Sequence, residues 1–339
     1  FIEDWQIYLL NYLDKTVNIK FFIAQTYTPF SELDEKNEYK IIVMPLNLSQ
    51  YSEFYFAYKL HDLDLVRYKS LMPEPSVFAD PVAFFEELYA NIYALRDFKP
   101  YKSQIVSDYL LSGGYPAYFS SNDITRWQAQ LLNITDCSLY RDIGAFNNIK
   151  SPQKLKKLLY IIAEQGRTEQ SFGKIGRSLY VDTSTIIGYI SNLSEGGFAG
   201  VQDNFSPESG VEGRIVRKNK RFYIYDTGIA NAIRCNTSIA ENFNDHVTNA
   251  FLYMAKRYAM GVDGNVYFWK NGIREVDIVL YEKGKILPVS VCCQKENLER
   301  TIKSTRAFMR NYGVKTAIII TRDLIKSDRG IIFLPYWMF

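Results

Sequence analysis

The sequence predicts an α/β protein of several domains, and three observations carry that reading. Short β-branched apolar runs alternate with helical stretches near both ends of the chain, at Ile19 to Ala24 and Tyr39 to Leu46, and again at Val276 to Tyr281, Ile286 to Cys292 and Thr316 to Thr321. That alternation is expected of a sheet packed by helices. Between them, over 151–233, stand three short amphipathic helices followed by two strand-like runs. The third observation is size: 339 residues, 47% of them hydrophobic, allow two or three domains with sizeable cores.

The chain opens Phe1-Ile2-Glu3-Asp4-Trp5-Gln6, without an initiator Met. An apolar stub meets two acids at once, as at the end of a strand, so sequence missing upstream is expected. Ile7 to Val17 reads as a helix, and the two runs that follow it as buried strands, the pattern of a parallel α/β sheet. Residues 48–148 read as mostly helical, broken at Pro73, Pro75, Pro81, Pro100 and Gly113-Gly114.

Leu155, Leu158, Leu159 and Ile162 recur at helical spacing, and Gly166 ends that helix. Ser171 to about Leu179 is a second helix. Thr183 to Leu193 is a third, with Asp182 as its expected N-cap and Ile186, Ile190 and Leu193 as its apolar stripe. Gly196-Gly197 breaks the pattern, and Phe198 to Val201 and Arg221 to Tyr225 read as strands. Three helices followed by a β-hairpin predict a winged helix-turn-helix. The remainder returns to α/β: a helix over Asn244 to Tyr258, strands at Asn265 to Trp269 and the three runs named above, and a helix over Leu298 to Tyr312.

Composition narrows the chemistry. Four cysteines, Cys137, Cys235, Cys292 and Cys293, form no CxxC pair and read as reduced thiols. Two histidines, His61 and His246, argue against zinc-finger and Ser-His-Asp chemistry. No run approaches the length of a membrane helix and no signal pattern opens the chain, so a cytoplasmic protein without membrane contact is expected. Residues 1–100 carry 15 acids and 9 bases, whereas 101–339 carry 22 acids and 31 bases. The excess of bases in the later part points to an acidic partner, nucleic acid being the usual one.

In order along the chain, several short motifs resemble those of a family of bacterial and archaeal P-loop ATPases of the AAA+ class. They are Phe1 to Gln6, Pro45-Leu46 with Glu53-Phe54, Gly113-Gly114-Tyr115-Pro116, Arg141-Asp142-Ile143, Arg221 with Tyr223, Asp226 and Gly228, Glu275-Val276-Asp277, and Leu334-Pro335-Tyr336-Trp337. The resemblance implies part of an ATPase core over 1–60, a helical lid over 61–148, a winged helix over 149–233, and a restriction-endonuclease-like α/β domain over 234–339. Such proteins hold ATP and Mg²⁺ on a Gly-rich loop, and this sequence contains no GxxxxGK[ST]. ATP and Mg²⁺ are therefore expected only if a P-loop precedes Phe1. Glu3 and Asp4, with Thr26 at the sensor position, are the residues that would then face them, with the two acids exchanged relative to the family order.

PD-(D/E)xK nuclease chemistry needs carboxylates for Mg²⁺ and a Lys to position water. Period-2 geometry puts Glu275 and Asp277 on one strand face, and Ser290 and Cys292 on one face of the next strand. The resemblance places Glu and Lys at those last two positions, and a further Glu where this chain has Asn244. Three expected groups are gone, so no intact catalytic or metal site and no nuclease activity are predicted. Thr183, Ser184, Thr185, Tyr189 and Asn192 are read as the outward face of the third helix. With the wing bases Arg214, Arg217, Lys218, Lys220 and Arg221, they form a candidate DNA surface of low sequence specificity. Arg300, Lys303, Arg306 and Arg310 share a face of the later helix, read as solvated. The functional expectation is an AAA+-type ATPase-like protein with a nucleic-acid-binding or regulatory role and an inactive nuclease-like domain. A non-catalytic scaffold for protein partners is the rival reading. An ATP-dependent nuclease is a third, and needs Asp245 or Glu241 to stand in for the lost acid.

Overall fold

A computed structural model describes residues 63–339 except 75, 122, 207–219 and 241. The predicted ATPase strands, with Glu3, Asp4 and Thr26, lie outside the described residues, as do Arg214, Arg217 and Lys218 of the predicted wing. The described residues are mixed α/β and belong to one compact unit.

Four helices come first: α1 (Leu63–Leu71), α2 (Pro81–Ala90), α3 (Ile92–Asp97) and α4 (Lys99–Ser112). Asp80 caps α2, accepting from the amides of Val82 and Ala83, with Pro81 at the first helical position. α5 (Ile124–Cys137) runs on through a π-turn, Ser138–Ile143. Next come α6 (Pro152–Gln165), the two-residue β1 (Glu169–Gln170), α7 (Phe172–Leu179), α8 (Thr183–Glu195), β2 (Ala199–Gln202), β3 (Lys220–Ile224) and α9 (Thr227–Arg234). Gly166 ends α6 at φ +56°, a conformation that favours glycine. Asp182 stands at the N-cap of α8, but its side chain makes no capping bond. β1, β3 and β2 form a small antiparallel sheet in that order. Helices α5 to α9 close one core with it, around Trp127, Leu158, Ile186 and Phe222.

The larger sheet follows α10 (Phe243–Gly261). Its strands are β4 (Asn265–Asn271), β5 (Arg274–Glu282), β6 (Lys285–Cys292), β7 (Ala317–Thr321), β8 (Lys326–Asp328) and β9 (Ile331–Pro335). The spatial order is β4-β5-β6-β7-β9-β8. β4, β5 and β6 form an antiparallel meander, α11 (Leu298–Tyr312) crosses over to bring β7 in parallel beside β6, and β9 lies parallel to β7 on its other side. Alternation assigns the faces. Ile318, Ile320, Ile332 and Leu334 join the core shared with α1–α4 and α10, whereas Ile319 and Phe333 face the α11 side with Met309.

Two groups of matched motif residues meet in one structural knot. Asp226 caps α9, accepting from the Ile229 amide at 2.9 Å, and its other oxygen accepts from the Gly114 amide at 2.7 Å. Gly113 has φ +82°, and a Cβ there would lie 2.6 Å from Asp226 Oδ2. A Cβ at Gly228 would strike the Ser112–Gly113 backbone. Asn231 donates to the carbonyls of Leu110 and Leu111, and the Trp127 indole donates to that of Ser112. The start of α9 is thereby fastened to the end of α4.

Candidate functional site

The two acids of Glu275-Val276-Asp277 line a cleft of about 150 Å³, together with Arg167, Asn244, Val291, Cys292 and residues of α11 and the turn before it. Two apart on β5, they share one side of the strand, and the strand then departs from simple alternation. Tyr267 and Trp269, two apart on β4, pair with Val279 and Val276, three apart on β5, so β5 carries a bulge. Val276 and Val279 consequently enter the same cluster under α11. The β5–β6 pairing ends at Ile278 opposite Val289. Beyond it the strands splay, and the cleft opens between them.

Splaying leaves the β5-facing backbone of β6 without strand partners, and side chains replace them. Asp277 Oδ2 accepts from the Val291 amide at 2.8 Å. Asn244 Oδ1 accepts from the Cys293 amide at 2.8 Å, and its Nδ2 donates to the Val291 carbonyl at 3.4 Å. An amide can donate and accept at once, whereas an ionised Glu at that position could only accept.

The second Asp277 oxygen receives Arg167 Nη1 at 2.7 Å, and Arg167 Nε faces Asp245 Oδ1 at 3.6 Å. Burial works against the Arg167 charge, but Asp277, Asp245 and Glu275 outweigh it and hold the group above its usual range. Glu275 accepts from Arg221 Nη2 at 2.8 Å. The Arg221 guanidinium lies 4.4 Å from the Phe268 ring centre, with Glu169 at 3.6 Å.

These contacts do not fit a divalent cation. Both Asp277 oxygens and the nearer Glu275 oxygen already have donors, two of them cationic. Ser290 is buried and shares a hydrogen bond with Thr305 of α11 at 3.1 Å. The Cys292 thiol donates to the Gln294 carbonyl, and burial raises its pKa, so it is a neutral group at the position where the family resemblance implies a Lys. Among the described residues no group of three or more His, Cys, Asp or Glu side chains is placed to hold a metal.

The candidate nucleic-acid residues divide. Thr183 and Ser184 are exposed on α8, and Thr185 and Asn192 are half-buried. Tyr189 is a correction: it is 8% exposed and packs in the core with Ile186 and Ile190, continuing the apolar stripe rather than facing outward. Lys220 and Arg221 are a second correction. Both are buried, Lys220 paired with Asp203 and Arg221 with Glu275, so neither adds to a free basic surface. On α11, Lys303 pairs with Glu299 and Arg306 with Asp328, while Arg300 donates to the Ile273 carbonyl.

Sequence reasoning did not reach Arg167, since its partners lie 78 and 110 positions away. Arg221 carried a signal that was available: a charged residue beside Phe222, Tyr223 and Ile224 in a short strand needs a buried partner.

Among known families, a domain of unknown function (DUF8612) matches residues 103–240, from the first turns of α4 to just past α9. Arg167 and Arg221 fall inside that stretch, and Glu275 and Asp277 outside it. No curated protein and no solved structure matches the chain. No helix among the described residues is long and apolar enough to cross a membrane.

Proposed function

We propose that this chain serves as a non-cutting binding or regulatory part of an AAA+-type ATPase-like protein. In this reading 149–233 is a winged helix and 234–339 a nuclease-like sheet retained for its shape. One observation carries it: the acids that would hold Mg²⁺ are occupied by Arg167 and Arg221. ATP and Mg²⁺ belong to the reading only through residues outside those described. Nucleic acid is the first partner to test, through Thr183 and Ser184 at the exposed start of α8 and through Arg214, Arg217 and Lys218, which lie outside the described residues. The test combines incubation of DNA and RNA with Mg²⁺ or Mn²⁺ and a salt titration of DNA affinity. No cleavage, and affinity falling with salt and lost in a variant lacking those three bases, are expected. Cleavage abolished by Asp277→Ala would overturn the non-cutting reading.

A specific observation favours a protein partner instead. The exposed positions of α8 are Thr183, Ser184, Ile187, Gly188, Ser191 and Glu195, with no cation and one acid among them. Salt-independent or absent DNA binding would support that alternative.

A further inference from the structure

We propose that Glu275 and Asp277 act as receptors for two arginines of the same chain, forming a latch that joins the small sheet to the large one and closes the cleft to cations. The closure rests on the non-cutting reading above; the latch itself rests on geometry. Arg167 follows Gly166, which ends α6, and Arg234 of α9 donates to the Ala163 carbonyl in the last turn of that helix at 2.5 Å. Arg221 projects from β3 over the Phe268 ring. Contacts between the two sheets bring both arginines to the acids. Past β2, the chain lies beside β4, with the Phe205 amide donating to the Phe268 carbonyl at 2.6 Å and the Phe268 amide to the Asp203 carbonyl at 3.0 Å. Gln202 Nε2 donates to the Tyr267 and Asp277 carbonyls. Lys270 of β4 holds Glu169 of β1 at 2.6 Å, and Glu169 in turn faces Arg221.

A planar, permanently charged guanidinium suits this place. It satisfies one carboxylate oxygen directly and keeps its charge despite burial. Asp277 thereby uses one oxygen to complete the β6 backbone and the other to hold the upstream segment. A divalent cation entering the cleft would have to displace Arg167 from Asp277 and leave a part-buried guanidinium with only the longer contact to Asp245.

The test is a double-mutant cycle on the full chain, read by thermal unfolding, with Arg167→Met, Asp277→Asn and the pair together. Each single change is expected to lower Tm by roughly 5 to 10 °C, and the double change no further than the worse single one. Millimolar Mn²⁺ is expected to leave the wild-type Tm unmoved. Additive losses would overturn the latch, as would a Mn²⁺-dependent rise in wild-type Tm. Should Asp277→Asn fail to fold, the cycle of Arg221→Met with Glu275→Gln, whose acid is partly exposed, reads the same coupling. DNA cleavage or missing DNA affinity would strike the proposed function and leave this coupling intact.

Discussion

Gly113→Ala tests how tightly α4 and α9 are fastened. Gly113 sits at φ +82°, ψ −174°, a region open essentially to glycine alone, and forcing Ala there costs about 1–3 kcal/mol in backbone strain. The new methyl would also overlap both Asp226 oxygens. Moving Asp226 aside removes the N-cap of α9, worth about 1 kcal/mol. It also leaves the buried Gly114 amide without its acceptor, at a further 1–3 kcal/mol or so. The total is about 3–7 kcal/mol, a large share of the stability of any domain. Gly197→Ala is the control: φ is +76° there, but a Cβ would meet nothing within 4 Å, so only the strain of about 1–3 kcal/mol remains. Urea unfolding of both variants reads the difference. Equal losses would refute the reasoning, because the collision with Asp226 would then contribute nothing.

Burial, with Arg234 nearby, lowers the His246 pKa to about 4, so folding favours the neutral ring. Its contribution is complete above the ordinary value of 6.5 and is lost as pH falls toward 4, a change of about 3 kcal/mol that should disappear in His246→Gln when urea midpoints are compared at several pH values. Asp226 has the opposite sign: burial, against three backbone donors, raises its pKa to about 6, so its contribution is complete below the ordinary 3.8 and is lost as pH rises through 6. The two oppose each other between about 4 and 6, so His246→Gln should gain stability on acidification where the wild type stays flatter; a wild type as steep as the variant would contradict the His246 assignment, and a variant that gains nothing would contradict that of Asp226. Installing the nuclease residues as Ser290→Glu with Cys292→Lys should destabilise by several kcal/mol and give no cutting, because position 290 is enclosed beneath Thr305; circular-dichroism melts and a plasmid assay check this.

Much of the architecture could be read from local pattern. α7, α8 and α11 fall within a few residues of expectation because caps, glycine stops and 3.6-residue spacing are local. β9 was not anticipated, although Ile331 to Leu334 is a short apolar run beside a glycine. Tyr189 could have been placed correctly, since it stands three past Ile186 and four before Leu193, on the apolar stripe. The bulge in β5 was not legible, because it exists only as a mismatch with β4. The ion pairs on the two acids were hidden for the same reason: Arg221 and Glu275 stand 54 positions apart, and only the folded chain shows them to be partners.

The route taken by Asp203, Asn204 and Phe205 also bears on self-association. Hydrogen-bonding edges of a sheet are templates for pairing with another chain. Along β4, the outer edge is engaged at Phe268 by this segment, and Asn204 donates to the Lys270 carbonyl and accepts from the Lys270 amide. The opposite edge, β8, has three residues, of which Lys326 and Asp328 are charged. Neither described border of the six-stranded sheet therefore offers a long, flat strand to a second copy, and growth of the sheet by edge-to-edge addition is disfavoured at both ends.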